Sequence, residues 1–208
     1  MTYQGLVMFD VDGTLIREKT VCELIAEKID KTERMAWLER HSASPAEFVI
    51  AAREEMADWY TDAGQKAVEG FFDSVVWAEA AHTGVSALVE SGWLVAIASM
   101  TWKFGVERIA SDLGISELIA TDFDWESKRI DHVFPGDKAN YLKRLAYQHR
   151  IPDDRVFAVG DSSGDVPMLT TAQRGYFVGE NDPHIQGVLH FPDAGIDEIA
   201  RHMLNTKF

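Results

Sequence analysis

Two aspartates stand two residues apart in Asp10-Val11-Asp12-Gly13-Thr14-Leu15, directly after the apolar run Leu6-Val7-Met8-Phe9. Side chains leave a strand by alternate faces, so the two carboxylates share one site only where the chain bends. Gly13 supplies the bend, and like charges gathered there need a cation to offset them. A divalent metal with a phosphate is the obvious reason to collect such charge. Three more features follow in order. Ser99 ends the run Leu94-Val95-Ala96-Ile97-Ala98. Lys138, in Gly136-Asp137-Lys138-Ala139, opens a helical stretch. Gly160-Asp161-Ser162-Ser163-Gly164-Asp165 follows the run Val156-Phe157-Ala158-Val159.

Each residue type has a matching role. A carboxylate can attack phosphorus and form an acyl-phosphate, splitting one difficult displacement into two easier ones. Asp10 is placed for that attack, and Asp12 for protonating the leaving oxygen and then activating water. Asp161 and Asp165 suit Mg²⁺, directly or through water, with Asp10 and Asp12 in the same acidic set; this metal prefers oxygen ligands between carboxylates and a phosphate. Ser99 and the backbone N–H groups beside it, Met100 included, are candidates for the phosphoryl oxygens. Lys138 adds positive charge: at an effective dielectric near 20, a pair at 4 Å is worth roughly 4 kcal/mol.

The elements that must position these residues are legible as five apolar runs: Leu6–Phe9, Leu94–Ala98, Leu118–Thr121, Val156–Val159 and Tyr176–Val178. Continuous runs of this length predict buried parallel strands. Helical patterns of crossover length, Phe104–Leu113 and Ala139–His149, lie between the later ones. The alternation predicts an α/β doubly wound parallel sheet, which binds ligands outside the carboxyl ends of its strands. The stretch 17–82 breaks the rhythm. It holds no good strand and predicts helices at Val21–Ile29, Thr32–Arg40, Pro45–Tyr60 and Gly64–Phe72, with Ser44-Pro45 as a helix-start signal. Met35, Trp37, Phe71 and Phe72 are expected in its core. A short hairpin is expected within 124–136.

Composition narrows the function classes. The formal net charge of −14 repels nucleic acid and anionic membranes, so neither is an expected partner. The one cysteine, Cys22, allows no intramolecular disulfide and is expected as a small buried apolar residue. Seven scattered histidines do not suggest a zinc site. The N-terminal residues do not resemble a secretory signal, and no run is long enough to cross a bilayer. A cytoplasmic enzyme, monomer or homodimer, acting on a small phosphorylated metabolite fits these observations.

The ordered set resembles the haloacid dehalogenase (HAD) superfamily: its DxDGT motif matches Asp10–Thr14, its strand-end Ser or Thr matches Ser99, its Lys matches Lys138, and its GDxxxD matches Gly160–Asp165. The second aspartate of DxD implies a phosphatase or phosphotransferase rather than a dehalogenase. The helical insertion after the first motif, with Thr20-Val21-Cys22-Glu23-Leu24-Ile25, is similar to the phosphoserine-phosphatase-like branch. That resemblance implies a Rossmann-like core (1–16 and 83–208), a helical cap (17–82) that selects the leaving group, and Mg²⁺. It also brings Glu18, Arg53 and Trp102 forward as substrate-reading candidates. Departures stand at these positions: Lys19 replaces the branch's amine-reading glutamate, Arg53 lies shifted from its cap arginine, Ser-Gly-Gly-Phe reads Ser99-Met100-Thr101-Trp102, and Gly164 replaces an asparagine. A phosphotransferase passing the group to an alcohol, or a silent binding module, are the alternative readings.

Overall fold

The computed structural model describes residues 2–41 and 45–206; the helix-start residue Ser44 lies outside them. β1 spans Leu6–Phe9 and β2 Ile16–Arg17. Then come α1 (Val21–Lys28), α2 (Thr32–Glu39), α3 (Ala46–Ala63) and α4 (Gln65–Glu69), the last running into a 3₁₀ segment at Gly70–Ser74. β3 (Val76–Trp77), α5 (Ala81–Glu90), β4 (Leu94–Trp102) and α6 (Lys103–Leu113) follow. β5 (Glu117–Phe123), β6 (Ile130–Asp131) and α7 (Pro135–His149) lead to β7 (Val156–Gly160) and α8 (Val166–Thr171). The chain continues through β8 (Arg174–Phe177), β9 (Val188–His190) and α9 (Ile196–Leu204).

The main sheet runs β6-β5-β4-β1-β7-β8-β9, parallel throughout except for the β5–β6 hairpin. β1 lies between β4 and β7, with Leu6 opposite both Leu94 and Val156. All four β1 residues are fully buried, as a strand covered on both faces requires. Val7 and Phe9 pack on one face with residues of α5, α6 and α9; Leu6 and Met8 pack on the other with Leu142, Leu145, Met168 and Leu169 of α7 and α8. The result is a three-layer α/β core. The helices α1–α3 share the first of these two clusters through Leu24, Ile25, Leu38 and Tyr60.

Three expectations change. The stretch 17–82 does contain a strand, because Val76 and Trp77 pair antiparallel with Arg17 and Ile16. Two paired residues are too few to give a period in sequence. β4 does not stop at Ala98; it resumes pairing at Trp102 after a register shift, so Ser99–Thr101 bulge out of the ladder. Trp37 is 36% exposed rather than in the core, stacked on His41 with the Arg34 guanidinium over its ring. Met35 and Phe71 are buried as expected, and Phe72 packs half-buried against them.

One close approach fixes how α5 meets α9. A Cβ on Gly84 would lie 2.5 Å from the backbone carbonyl carbon of Ile196, so a side chain there must push the two helices apart. Gly84→Ala is expected to cost about 1–3 kcal/mol, the usual range for overpacking. A shift of the urea unfolding midpoint measures it; a midpoint equal to the wild type would show that α9 yields freely.

Candidate active site

The first functional element is the bend after β1. Gly13 has φ 78°, the left-handed region, and a Cβ there would fall 2.1 Å from Asp161 Oδ2. Both the turn and the approach of the β7 loop therefore require glycine. Thr14 Oγ1 donates to Asp161 Oδ1 at 3.2 Å, tying the two loops together.

At the centre lies Lys138, in the first turn of α7 and 1% exposed. Its Nζ donates to Asp10 Oδ1 at 2.6 Å and to Asp165 Oδ1 at 2.7 Å. Asp165 Oδ2 accepts from the backbone N–H groups of Asp161 and Ser162 and from Ser162 Oγ, at 3.0–3.1 Å. Asp165 is thus fully engaged: it holds the lysine and shapes the loop. Burial pulls the lysine's pKa down, but Asp10 and Asp165 outweigh it and raise it, so Lys138 stays charged.

Asp10, Asp161 and Asp165 each offer a carboxylate oxygen, all within 4.8 Å of one another. Three carboxylates against one lysine leave two negative charges in excess when all are ionised. Burial raises the pKa of Asp10 well above its usual range, with Asp165 adding to the rise and Lys138 opposing it. Burial and Asp165 likewise push Asp161 up to about 6. The protein alone under-compensates this site. A hard divalent cation suits an all-oxygen set with excess charge, and Asp10 and Asp161 have oxygens to give it.

Asp12 is held differently. Its Oδ1 accepts the N–H of Val21, the first residue of α1, at 2.7 Å. Burial pushes its pKa up to about 7, against the lowering effect of that hydrogen bond. α1 is aimed by its N-cap: Thr20 Oγ1 accepts from Glu23 N at 3.1 Å, and the Glu23 carboxylate accepts from Thr20 N at 2.8 Å, a capping box. The Val21 amide at the start of α1 therefore faces the carboxylate, where the helix dipole favours negative charge.

A cavity of about 320 Å³ opens on these groups. Asp10, Asp12, Ser99, Met100, Lys138 and Asp161 line its polar end, while Met35 and Leu38 of α2 and Phe48, Val49, Ala52 and Met56 of α3 line an apolar wall. Ser99 Oγ accepts Thr101 N at 3.2 Å within the bulge. Met100 gives the site its backbone, while its side chain covers Gly164, where a Cβ would lie 2.6 Å from the methyl group. Of the three substrate-reading candidates only Arg53 reaches the cavity. Glu18, at φ 66°, is exposed on the turn before α1. Trp102 is buried beneath the site among Tyr60, Phe104 and Phe123. Sequence reasoning missed Thr20, Cys22 and Glu39, which also line the cavity. The Thr20-x-x-Glu23 capping signature could have flagged the first.

Residues 7–170 match the family described as haloacid dehalogenase-like hydrolase. A phosphoserine phosphatase of Lactococcus lactis subsp. lactis is 29% identical over 187 residues, covering 83% of this chain and 82% of its own. One from Idiomarina loihiensis is 26% identical, covering 82% and 80%. Among solved structures, a substrate-bound phosphoserine phosphatase complex superposes with a TM-score of 0.81 at 17% identity, covering 97% of this chain and 99% of that one. A HAD family hydrolase from Salmonella enterica serovar Typhi gives 0.80 at 15% identity, covering 95% and 71%. At such identities the structural likeness speaks to the fold.

The buried lysine yields a direct test. Lys138→Met keeps most of the volume but strands Asp10 and Asp165 without their cation. Removing one partner of a buried ion pair typically costs about 3–5 kcal/mol, and urea unfolding at pH 7 is expected to show a loss of that size. Mg²⁺ is expected to recover part of it; a variant as stable as the wild type would mean the carboxylates are neutral without the lysine.

Proposed function

The chain belongs to the haloacid dehalogenase-like hydrolases, and on that premise we propose that it hydrolyses a small phosphomonoester with Mg²⁺, through an aspartyl-phosphate on Asp10. The single observation that supports this most is the placement of Asp10: at the carboxyl end of the central strand, on the cavity, with Oδ1 held by Lys138. The relatives named as phosphoserine phosphatases support the reaction class.

In the first step a carboxylate oxygen of Asp10 bonds to phosphorus as the bond to the leaving oxygen breaks, and Asp12 gives that oxygen its proton. In the second, water attacks the phosphorus, Asp12 takes the water's proton, and the phosphorus–Asp10 bond breaks. Lys138 fixes the Asp10 carboxylate and offsets charge throughout. Ser99 Oγ and the Met100 N–H receive the phosphoryl oxygens. Asp10 and Asp161 would hold Mg²⁺, which when bound offsets the charge of the phosphoryl oxygens. Asp165 acts one step back, as the positioner of Lys138. Residues 17–82 serve as the cap over a core of 1–16 and 83–208, although the β2–β3 ribbon straddles that border. Among the described residues no helix is long and apolar enough to cross a membrane; a cytoplasmic enzyme with a small-molecule substrate is the matching proposal.

Asp10→Asn is expected to reduce phosphate release from p-nitrophenyl phosphate to background with circular dichroism unchanged. EDTA should stop the wild type, and Mg²⁺ should restore it. Full turnover in the variant, or indifference to chelation, would overturn the mechanism.

A further inference from the structure

The cavity contains a carboxylate that the phosphoryl chemistry leaves unused. Glu39, the last residue of α2, lines it beside Thr20. Among the described residues Glu39 has no ion pair, and its one hydrogen bond is the 3.0 Å donation from Thr20 Oγ1. The charges it senses are unfavourable: Glu23 raises its pKa on top of burial, and it in turn raises that of Asp12. A largely buried carboxylate with one neutral donor is costly to keep. Among the described residues only the Thr20 hydroxyl offsets it, and it lines the space that the substrate must fill.

Among the described residues Arg53 brings the cavity its one guanidinium, and Nη2 of that group is committed elsewhere. Arg53 Nη2 donates to the carbonyl oxygens of Met100 at 2.7 Å and Val133 at 3.0 Å. Nη1 lies 3.3 Å from His132 Nδ1, and the ring of Phe134 sits 5.4 Å away. A two-point clasp on a carboxylate needs adjacent donors on one edge. With both Nη2 hydrogens used, no edge is left for it. Arg53 thus bridges α3 to the β4 bulge and to the segment before α7, a positioning role. The rest of the wall from α2 and α3, including Met35, Leu38, Phe48 and Met56, is apolar.

We infer that the leaving group is an amino alcohol without a carboxylate, its ammonium paired with Glu39 and its carbon chain against the methionine and phenylalanine wall. This deepens the phosphatase reading and rests on it. The substrate would then be zwitterionic, its phosphate at Lys138 and its cation at Glu39. An amino-acid phosphate would bring a second anion into a cavity where, among the described residues, Arg53 offers no free two-donor edge.

The test compares kcat/KM of the Mg²⁺-loaded enzyme for phosphoethanolamine and 3-aminopropyl phosphate, each against the neutral n-alkyl phosphate of equal chain length, with phosphoserine alongside. A charge-assisted contact predicts a preference of roughly tenfold or more for at least one amine over its neutral partner. That amine should also exceed phosphoserine. In Glu39→Gln the preference should fall to about one, mainly through KM for the amine. Equal rates for amine and neutral esters, a preference unchanged in Glu39→Gln, or phosphoserine as the best substrate would each overturn the inference and leave the phosphatase reading standing. If the variant does not fold, the wild-type ratio decides alone. No phosphate release from any ester, p-nitrophenyl phosphate included, would overturn the phosphatase reading and this inference with it.

Discussion

The ammonium of Lys138 sits between Asp10 and Asp165, nearly sealed from water. Two carboxylates and a lysine cannot be buried singly; each would cost several kcal/mol in desolvation. They are tolerable only together, and only in one geometry. That geometry dictates the fold around it. β1 and β7 must be neighbours so that Asp10 and the Asp161 loop leave the sheet side by side. α7 must begin where its first turn can slide a lysine beneath both. The order β4-β1-β7 meets these demands with parallel strands whose carboxyl ends open on one crevice.

A second set of contacts ties the helices over that crevice to the chemistry. Thr20 caps α1, and its hydroxyl both accepts from Glu23 and donates to Glu39. The helix so fixed presents the Val21 N–H to Asp12. One threonine thus sets the direction of the amide that steadies Asp12 and the position of the carboxylate on the cavity wall. On the other side Arg53 joins α3 to the bulge after Ser99 through the Met100 carbonyl. The apolar wall is therefore held to the polar end by hydrogen bonds from two directions, not by packing alone.

What was legible in the sequence was local. Leu6–Phe9, Leu94–Ala98 and Val156–Val159 read as strands because a strand buried on both faces is a continuous apolar run. Asp10, Asp12, Asp161 and Asp165 lie next to such runs, so their clustering followed from the sheet. The signals missed fall into two kinds. Ile196, Ile199, Ala200 and Met203 carry a helical period that marks α9, and Val85 with Leu88 does the same for α5; these were readable. Glu39 was not. It gains its role from a cavity shared with residues 10, 12 and 99, and nothing near it in sequence shows that. Glu18 lies outside the cavity for the opposite reason. Its position in the chain is suggestive, but the turn there, at positive φ, leaves it exposed, and Lys19 beside it pairs with Glu27. Arg53 is intermediate: its place near the site was legible, whereas its carbonyl partners, 47 and 80 residues away, were not.

The charge balance of the cavity gives the deeper constraint on what it can hold. A chain with net charge −14 that binds a phosphate must concentrate positive charge at one point. Among the described residues, Lys138 and Arg53 are the buried cations, and Arg53 Nη2 donates to two carbonyl oxygens. Lys138, Arg53 and one divalent cation would together carry four positive charges. Asp10, Asp12, Glu39, Asp161 and Asp165 carry up to five negative ones before any substrate arrives. A phosphate brings more, so room for another anion vanishes, while a cation on the leaving group lowers the total. Glu39 places that cation's partner at the cavity wall. Selection by overall charge and selection by one contact then point the same way, which neither the lysine nor the glutamate could achieve alone.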